Sequence, residues 1–262
     1  MSYYFILAII LFFYMTGWFI LSVVKKRNDI VDIAWGLGFV LISWSGLYFA
    51  NTSLRGLLVN LLVTIWGMRL TWHIYKRNLK KHEDYRYAAW RKEWGKWFFA
   101  RSYFQVYLLQ GLFLYLIIQP VNFIHYRVSI SLGIFDLIGL LVWIIGFYFE
   151  SIGDLQLKTF ISNPANKGKL MKTGLWRYSR HPNYFGEVTQ WWGIFIIASS
   201  IPLGYITIIG PMTITVLILF VSGVPLLEKK YAGRKDFEEY KKKTSVFFPL
   251  PPKRYEDKDG HR

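Results

Sequence analysis

The chain has 262 residues, of which 53% are hydrophobic and 19% aromatic, and its formal net charge is +16. So much apolar content beside so much positive charge excludes an ordinary soluble domain, and the absence of cysteine excludes disulfides, thiolate catalysis and Cys-ligated zinc. Apolar runs of about 20 residues are long enough to cross a bilayer as helices, so the charge reads as topology and attraction to anionic headgroups, with no nucleic-acid partner.

The periodicity predicts an all-α, polytopic integral membrane bundle of about seven transmembrane helices, folded as a single membrane domain over residues 1–262. The spans are expected at 3–24, 29–50, 54–75, 103–124, 128–150, 184–201 and 205–227, followed by a cytoplasmic tail at 228–262. The first run lacks a basic n-region and a small-residue cleavage site, so it reads as a retained span. Three cations lie in Lys25–Arg27, ten in Arg69–Arg101, six in Lys158–Arg180 and eleven in Lys229–Arg262, which leaves only Arg55 and Arg127 for the other side of a seven-helix threading. The positive-inside rule then places the N-terminus outside and the C-terminus in the cytoplasm. The tail reads as a short amphipathic helix, then an extended, headgroup-facing end broken by Pro249, Pro251 and Pro252.

Ionisable groups inside spans are functional candidates by default. Asp32, early in the second span with Asp29 nearer the surface, is either a partner for Arg69 or Arg77 or a catalytic acid tuned by desolvation. Arg69, His73 and Arg77 share one face at the end of the third span, with Tyr75 among them. Glu83, Asp84, Arg86 and Tyr87 follow and read as an ion-paired surface. Asp136 caps or pairs at the outer surface.

Glu150, Asp154 and Lys158 repeat the i, i+4, i+8 pattern at the end of the fifth span. The turn Asn163-Pro-Ala-Asn166-Lys167-Gly168-Lys169 can hold phosphates through Lys and backbone N–H groups, although no GxGxxG or GxxxxGK[ST] accompanies it. In Gly174–Gly193, Pro182 sits well at a helix start, and Asn183 and Glu187 then stack four apart, with Gln190 and Trp191 continuing that side. Trp176, Arg177, Tyr178 and Arg180 suit an interfacial anchor, but Glu187, one turn into an apolar segment, needs another reason. Glu228 and Tyr231 close the last span. The five histidines, His73, His82, His125, His181 and His261, show no HExxH spacing, so no metal site is expected.

These blocks resemble the bacterial branch of the steroid 5-alpha-reductase superfamily, a domain of unknown function. The similarity rests on Val31-Asp32-Ile33-Ala34-Trp35-Gly36, Glu83-Asp84-x-Arg86-Tyr87, Asp154-x-Gln156 with Ser162-Asn163-Pro164-Ala165-Asn166, Thr173 through Glu187 with its Arg-His-Pro-Asn-Tyr core, and Ser222 through Glu228 and on to Tyr240. It implies a seven-helix membrane bundle in a bacterial inner membrane that binds NADPH from the cytoplasmic side.

Carried over by position, Glu150 and Asp154 look like the cofactor-contacting pair, and Asn183 and Glu187 like the residues at the nicotinamide and ribose end. Arg180 looks like a phosphate partner, and Arg77, Asn166, Arg177, His181, Tyr184, Glu228 and Tyr231 complete the implied shell. Asp32 and Tyr75 are the implied catalytic pair, with Val31-Asp32 where the steroid reductases carry Gln-Glu, and Tyr75 one residue away from the family's tyrosine. The implied reaction is reduction of a C=C bond conjugated to a carbonyl in a lipophilic, steroid- or isoprenoid-like substrate. The Arg-His-Pro-x-Tyr-x-Gly block also occurs in isoprenylcysteine carboxyl-type membrane methyltransferases. There Arg180, His181, Tyr184 and Glu228 would surround S-adenosylmethionine. A third reading is a non-catalytic, lipid-binding membrane protein.

Overall fold

The computed structural model describes residues 2–50, 53–79, 83, 85–127 and 131–253. His82, Asp84, the side chain of Arg86, His261, residues 128–130 of the expected fifth span and 254–262 of the tail lie outside the described residues. Every regular element among the described residues is helical, with one isolated bridge between Ser179 and Ser245. In chain order the helices are α1 (Tyr3–Lys25), α2 (Val31–Tyr48), α3 (Leu54–Asn78), α4 (Tyr85–Trp94), α5 (Phe98–Arg101), α6 (Leu109–Ile117), α7 (Gln119–Tyr126), α8 (Ile134–Ser162), α9 (Pro182–Ala198), α10 (Ile209–Val216), α11 (Val224–Tyr231) and α12 (Lys235–Lys243).

Local chemistry sets several of these ends. Ser53 caps α3 by accepting a hydrogen bond from the Gly56 N–H at 3.0 Å. Pro120, unable to donate to the preceding turn, sits at the start of α7, where the chain bends 52° from α6. Wider π turns at Ser102–Leu108 and Leu217–Val221 lead into α6 and out of α10.

Five helical stretches are long and apolar enough to cross a membrane: Tyr3–Lys25, Asn28–Tyr48, Leu54–Asn78, Ile134–Ser162 and Gly204–Tyr231. The bent pair Tyr87–Ile117 and Gln119–Tyr126 makes six if it is one span. The sixth expected span, 184–201, corresponds to α9, which has 17 residues. At a rise of about 1.5 Å per residue it falls a little short of a hydrocarbon core about 30 Å thick.

The sequence reads as one membrane domain; packing divides the chain into two compact units, Met1–Asp136 with Ile194–Thr213, and Leu137–Gly193 with Ile214–Arg262. In the first unit α2 and α3 meet at Gly36 and Gly67, where a Cβ on either glycine would overlap the other's carbonyl. That approach buries Phe39, Ile42, Val59, Leu62, Val63 and Trp66, with the Phe39 and Trp66 rings edge to face at 5.2 Å. The Ser43 hydroxyl on α2 donates to the side-chain amide oxygen Oδ1 of Asn60 on α3 inside the same layer.

Asp136, expected as a cap or pair, does both: it accepts from Arg55 Nε and Nη2 at 2.6 and 2.8 Å and from the Gly133 N–H at 2.7 Å. Both side chains of the pair are about 95% buried.

In the second unit α8 and α9 run antiparallel along a glycine seam. Gly139, Gly146 and Gly153 recur every seven residues on α8, and Gly186 and Gly193 do so on α9. A Cβ on Gly186 would overlap the backbone of Glu150 and Gly146, and one on Gly193 the backbone of Gly139 and Trp143. Only glycine permits backbones this close.

Breaking the Arg55–Asp136 pair leaves a buried charge. Asp136→Ala is therefore expected to cost about 3–5 kcal/mol, whereas Arg55→Met combined with Asp136→Leu recovers most of the loss. Thermal melts in detergent check this; an unchanged melting temperature for Asp136→Ala would contradict it.

Candidate functional site

Two polar clusters stand out, one in each unit. In the first unit Asp32 occupies the first turn of α2. The Tyr87 hydroxyl donates to Asp32 Oδ1 at 3.4 Å, and Arg77 Nη2 lies 3.7 Å from Oδ2, so one of the two expected arginine partners is observed. Tyr87 is 4% exposed. Around this pair Arg27 grips Asp29 through two nitrogens at 3.0 and 2.7 Å, Glu83 accepts from the Asn28 N–H at 2.7 Å and from Arg91 at 3.0 Å, and Tyr107 donates to the Asn28 carbonyl at 3.2 Å. The guanidinium of Arg27, outside the span, is held above its usual pKa by the Asp29 carboxylate.

Tyr75 stands apart from Asp32. It is 42% exposed and its ring stacks on Trp72, three residues back on α3. One residue turns a helical side chain by about 100°, and that rotation carries Tyr75 to the outer face. The tyrosine that hydrogen-bonds Asp32 is Tyr87, which the sequence reading had assigned to an ion-paired surface.

In the second unit the glycine seam brings the acids of α8 against the amides of α9. Gln190 Nε2 donates to Glu150 Oε2 at 2.5 Å, and Asn183 Nδ2 donates to Asp154 Oδ1 at 3.1 Å. Glu150 is 2% exposed and Asp154 8%, so both acids are desolvated beside amide donors. Glu187 is half-buried on α9. Three further polar atoms here are buried without a hydrogen-bond partner: Gln190 Oε1, His181 Nδ1 and Ser151 Oγ.

The loop before α9 is fixed from both sides. Gly174 adopts φ +61°, a left-handed conformation, and a Cβ there would run into the Gln156 amide. Gln156 Oε1 accepts from the Leu175 N–H at 2.9 Å, and Trp176 Nε1 donates to the Gly153 carbonyl at 3.1 Å. Asn163 and Asn166 are spent on the local chain, accepting from the Ala165 N–H and donating to the Phe160 carbonyl.

Arg180 is tied down: Nε donates to Glu228 Oε1 at 2.8 Å and Nη1 to the Thr244 carbonyl at 2.7 Å. The same Glu228 oxygen lies 3.2 Å from His181 Nε2, and the His181 ring stacks on Tyr184 at 5.6 Å. Arg177 is exposed, and Tyr231 lies under the Arg234 guanidinium.

The tail differs from the headgroup-facing end expected of it. Arg180 N–H donates to the Ser245 carbonyl at 2.9 Å, Leu250 N–H to the Tyr178 carbonyl at 3.0 Å, and Phe247 is buried against Phe185. The residues after α12 thus have backbone partners in the 178–180 loop, which removes the cost of leaving those groups unpaired. Tyr240 closes the arrangement by donating to the Trp176 carbonyl; burial pushes its pKa above the ordinary phenol value, which keeps the proton in place. The aromatic spacing of α12 was the one sequence signal for this packing.

A helical chain with five or six apolar spans is an integral membrane protein. It belongs to the family described as Protein of unknown function (DUF1295), which matches residues 18–244. It is similar, at 27% identity over 254 residues, to Uncharacterized protein C594.04c of Schizosaccharomyces pombe, the match covering 87% of this chain and 72% of that one. No solved structure matches it.

Gly186→Val places a branched side chain in the seam and separates the acids from their amides. A loss of about 1–3 kcal/mol or more is expected, while Gly17→Ala, where a Cβ meets nothing within 4 Å, leaves the melting temperature unchanged.

Proposed function

We propose that this chain is an NADPH-dependent membrane reductase acting on a C=C bond conjugated to a carbonyl in a lipophilic substrate, akin to the steroid 5-alpha-reductases. The observation that carries it is the pairing of Glu150 with Gln190 and of Asp154 with Asn183 beneath the Gly174–His181 loop. A dinucleotide needs hydrogen-bond partners for ribose hydroxyls and a carboxamide, and cations for its phosphates. Glu150, Asp154, Asn183 and Gln190 are of the first kind, and the unpartnered Gln190 Oε1 and His181 Nδ1 add capacity of the same sort. Exposed Arg177, Lys167 and Lys169 are of the second kind, and they take the phosphate role expected of Arg180, whose Nε and Nη1 are already engaged.

When bound, NADPH would supply the hydride for the β-carbon and leave as NADP+, and the resulting enolate would take the proton for its α-carbon from water. Tyr87 and Asp32 are the groups this reading assigns to the substrate's carbonyl oxygen: the Tyr87 hydroxyl, which donates to Asp32, would turn its hydrogen to that oxygen as negative charge develops there, while Asp32 stays beside Arg77. This reading takes α9 as a short sixth span of seven, with the N-terminus outside and the basic loops in the cytoplasm of a bacterial cell.

One observation favours a second reading. Arg180, His181 and Glu228 form one ion-pair cluster with Tyr184 stacked beside it, the set that an isoprenylcysteine carboxyl-type methyltransferase would turn toward S-adenosylmethionine.

Equilibrium binding on the purified protein separates the two. NADPH is expected to bind, and Asp154→Ala or Asn183→Ala to weaken it about tenfold, the worth of one charge-assisted hydrogen bond. S-adenosylmethionine binding in the absence of NADPH binding would replace the reductase with the methyltransferase, and binding of neither would leave the lipid-binding protein. In an NADPH-oxidation assay with lipophilic enones, Asp32→Asn and Tyr87→Phe are expected to lower turnover while NADPH affinity stays unchanged. Tyr75→Phe changes neither, and a turnover loss confined to Tyr75→Phe would restore that residue to the catalytic pair.

A further inference from the structure

At the end of the first unit where α1 begins and α6 gives way to α7, a cavity of about 490 Å³ opens. Its walls are mostly aromatic and aliphatic, with Tyr115, Phe123 and Ile206 among them, and Gln119, Thr207 and Arg127 add polar groups. The Arg127 guanidinium lies 5.6 Å from the Phe123 ring and 5.9 Å from the Tyr126 ring. On the seven-span threading only two cations, Arg55 and Arg127, belong to this side. Arg55 is consumed by Asp136. Arg127 makes no ion pair with a carboxylate among the described residues.

We propose that this cavity binds an anionic phospholipid of that leaflet, with an acyl chain against the Phe123, Tyr115 and Ile206 walls and the phosphate on Arg127. The charge argues for it. Cations are depleted on the non-cytoplasmic side of membrane proteins, the side the seven-span threading gives Arg127, and here Arg127, with no carboxylate partner among the described residues, lines a largely apolar cavity. A guanidinium meets phosphate oxygens through two parallel N–H groups, and tyrosines such as Tyr4 and Tyr126 at helix ends suit the headgroup region. A soluble anion gains nothing from the apolar walls, and a neutral lipid leaves the guanidinium uncompensated. The site is independent of the nucleotide reading.

The test uses the full chain in phosphatidylcholine vesicles with trace diazirine-bearing phosphatidylglycerol or phosphatidylcholine, and maps the labelled peptides by mass spectrometry. Phosphatidylglycerol is expected to label the Phe123–Arg127 and Tyr205–Ile209 peptides preferentially. Arg127→Gln should lower that labelling about tenfold, the worth of a charge-assisted pair, while Arg127→Lys retains most of it. Ile206→Trp, which fills the cavity without touching the charge, should also lower it, with thermal melts showing that each variant is folded. Equal labelling by the two lipids, or unchanged labelling of both Arg127→Gln and Ile206→Trp, overturns the proposal. Displacement of the label by soluble glycerol phosphate overturns the lipid as the occupant and leaves an anion site.

Discussion

The backbones of α8 and α9 can approach closely because glycines line both sides of the seam, and that approach decides where the polar atoms of the second unit end up. With Gly146 and Gly186 in contact, Gln190 reaches Glu150; with Gly153 against the start of α9, Asn183 reaches Asp154. A carboxylate buried in an apolar helix is tolerable only if donors are already in place. The seam supplies them. Without it, Glu150 and Asp154 would have to face water or give up their charge, and the proposed nucleotide site would lose its acids.

A second layer of constraint comes from further along the chain. Glu228 on α11 binds Arg180 and His181, and the carbonyls of Thr244 and Ser245 take up Arg180 side-chain and backbone N–H groups. The loop that leads into α9 is thereby locked by charge and by backbone pairing together. A fixed loop is what a binding site needs, since side chains held before a ligand arrives lose less entropy on binding it. In the first unit the equivalent role falls to the Asn28, Asp29 and Glu83 network, which surrounds Asp32 and Tyr87 with groups that are themselves hydrogen-bonded.

The apolar helices were legible in the sequence because run length is a local property. The acid spacing on α8 and the Asn183, Glu187, Gln190 face of α9 were legible for the same reason. What escaped was non-local. Tyr87 follows a run of charges and looks like surface, and its burial depends on α4 folding back toward Asp32. The tail after Lys243 reads as extended and headgroup-facing, and only its pairing with the 178–180 loop shows that it packs against the chain. The span expected at 184–201 corresponds to α9, which begins at Pro182 and stops at Ala198, and Asn183, Glu187 and Gln190 dilute its apolar run. The Arg-His-Pro motif draws attention to the 178–182 segment but not to the state of Arg180, because a sequence does not reveal which cations are already engaged.

The central claim is that the acid–amide seam of the second unit holds a nicotinamide nucleotide. Amide hydrogen exchange on the purified protein, with and without saturating NADPH, tests it most directly. The account predicts slowed exchange confined to peptides covering Glu150–Leu157 and Gly174–Gln190, with S-adenosylmethionine leaving them unchanged. Protection absent from those two peptides, or produced by S-adenosylmethionine in place of NADPH, would contradict it.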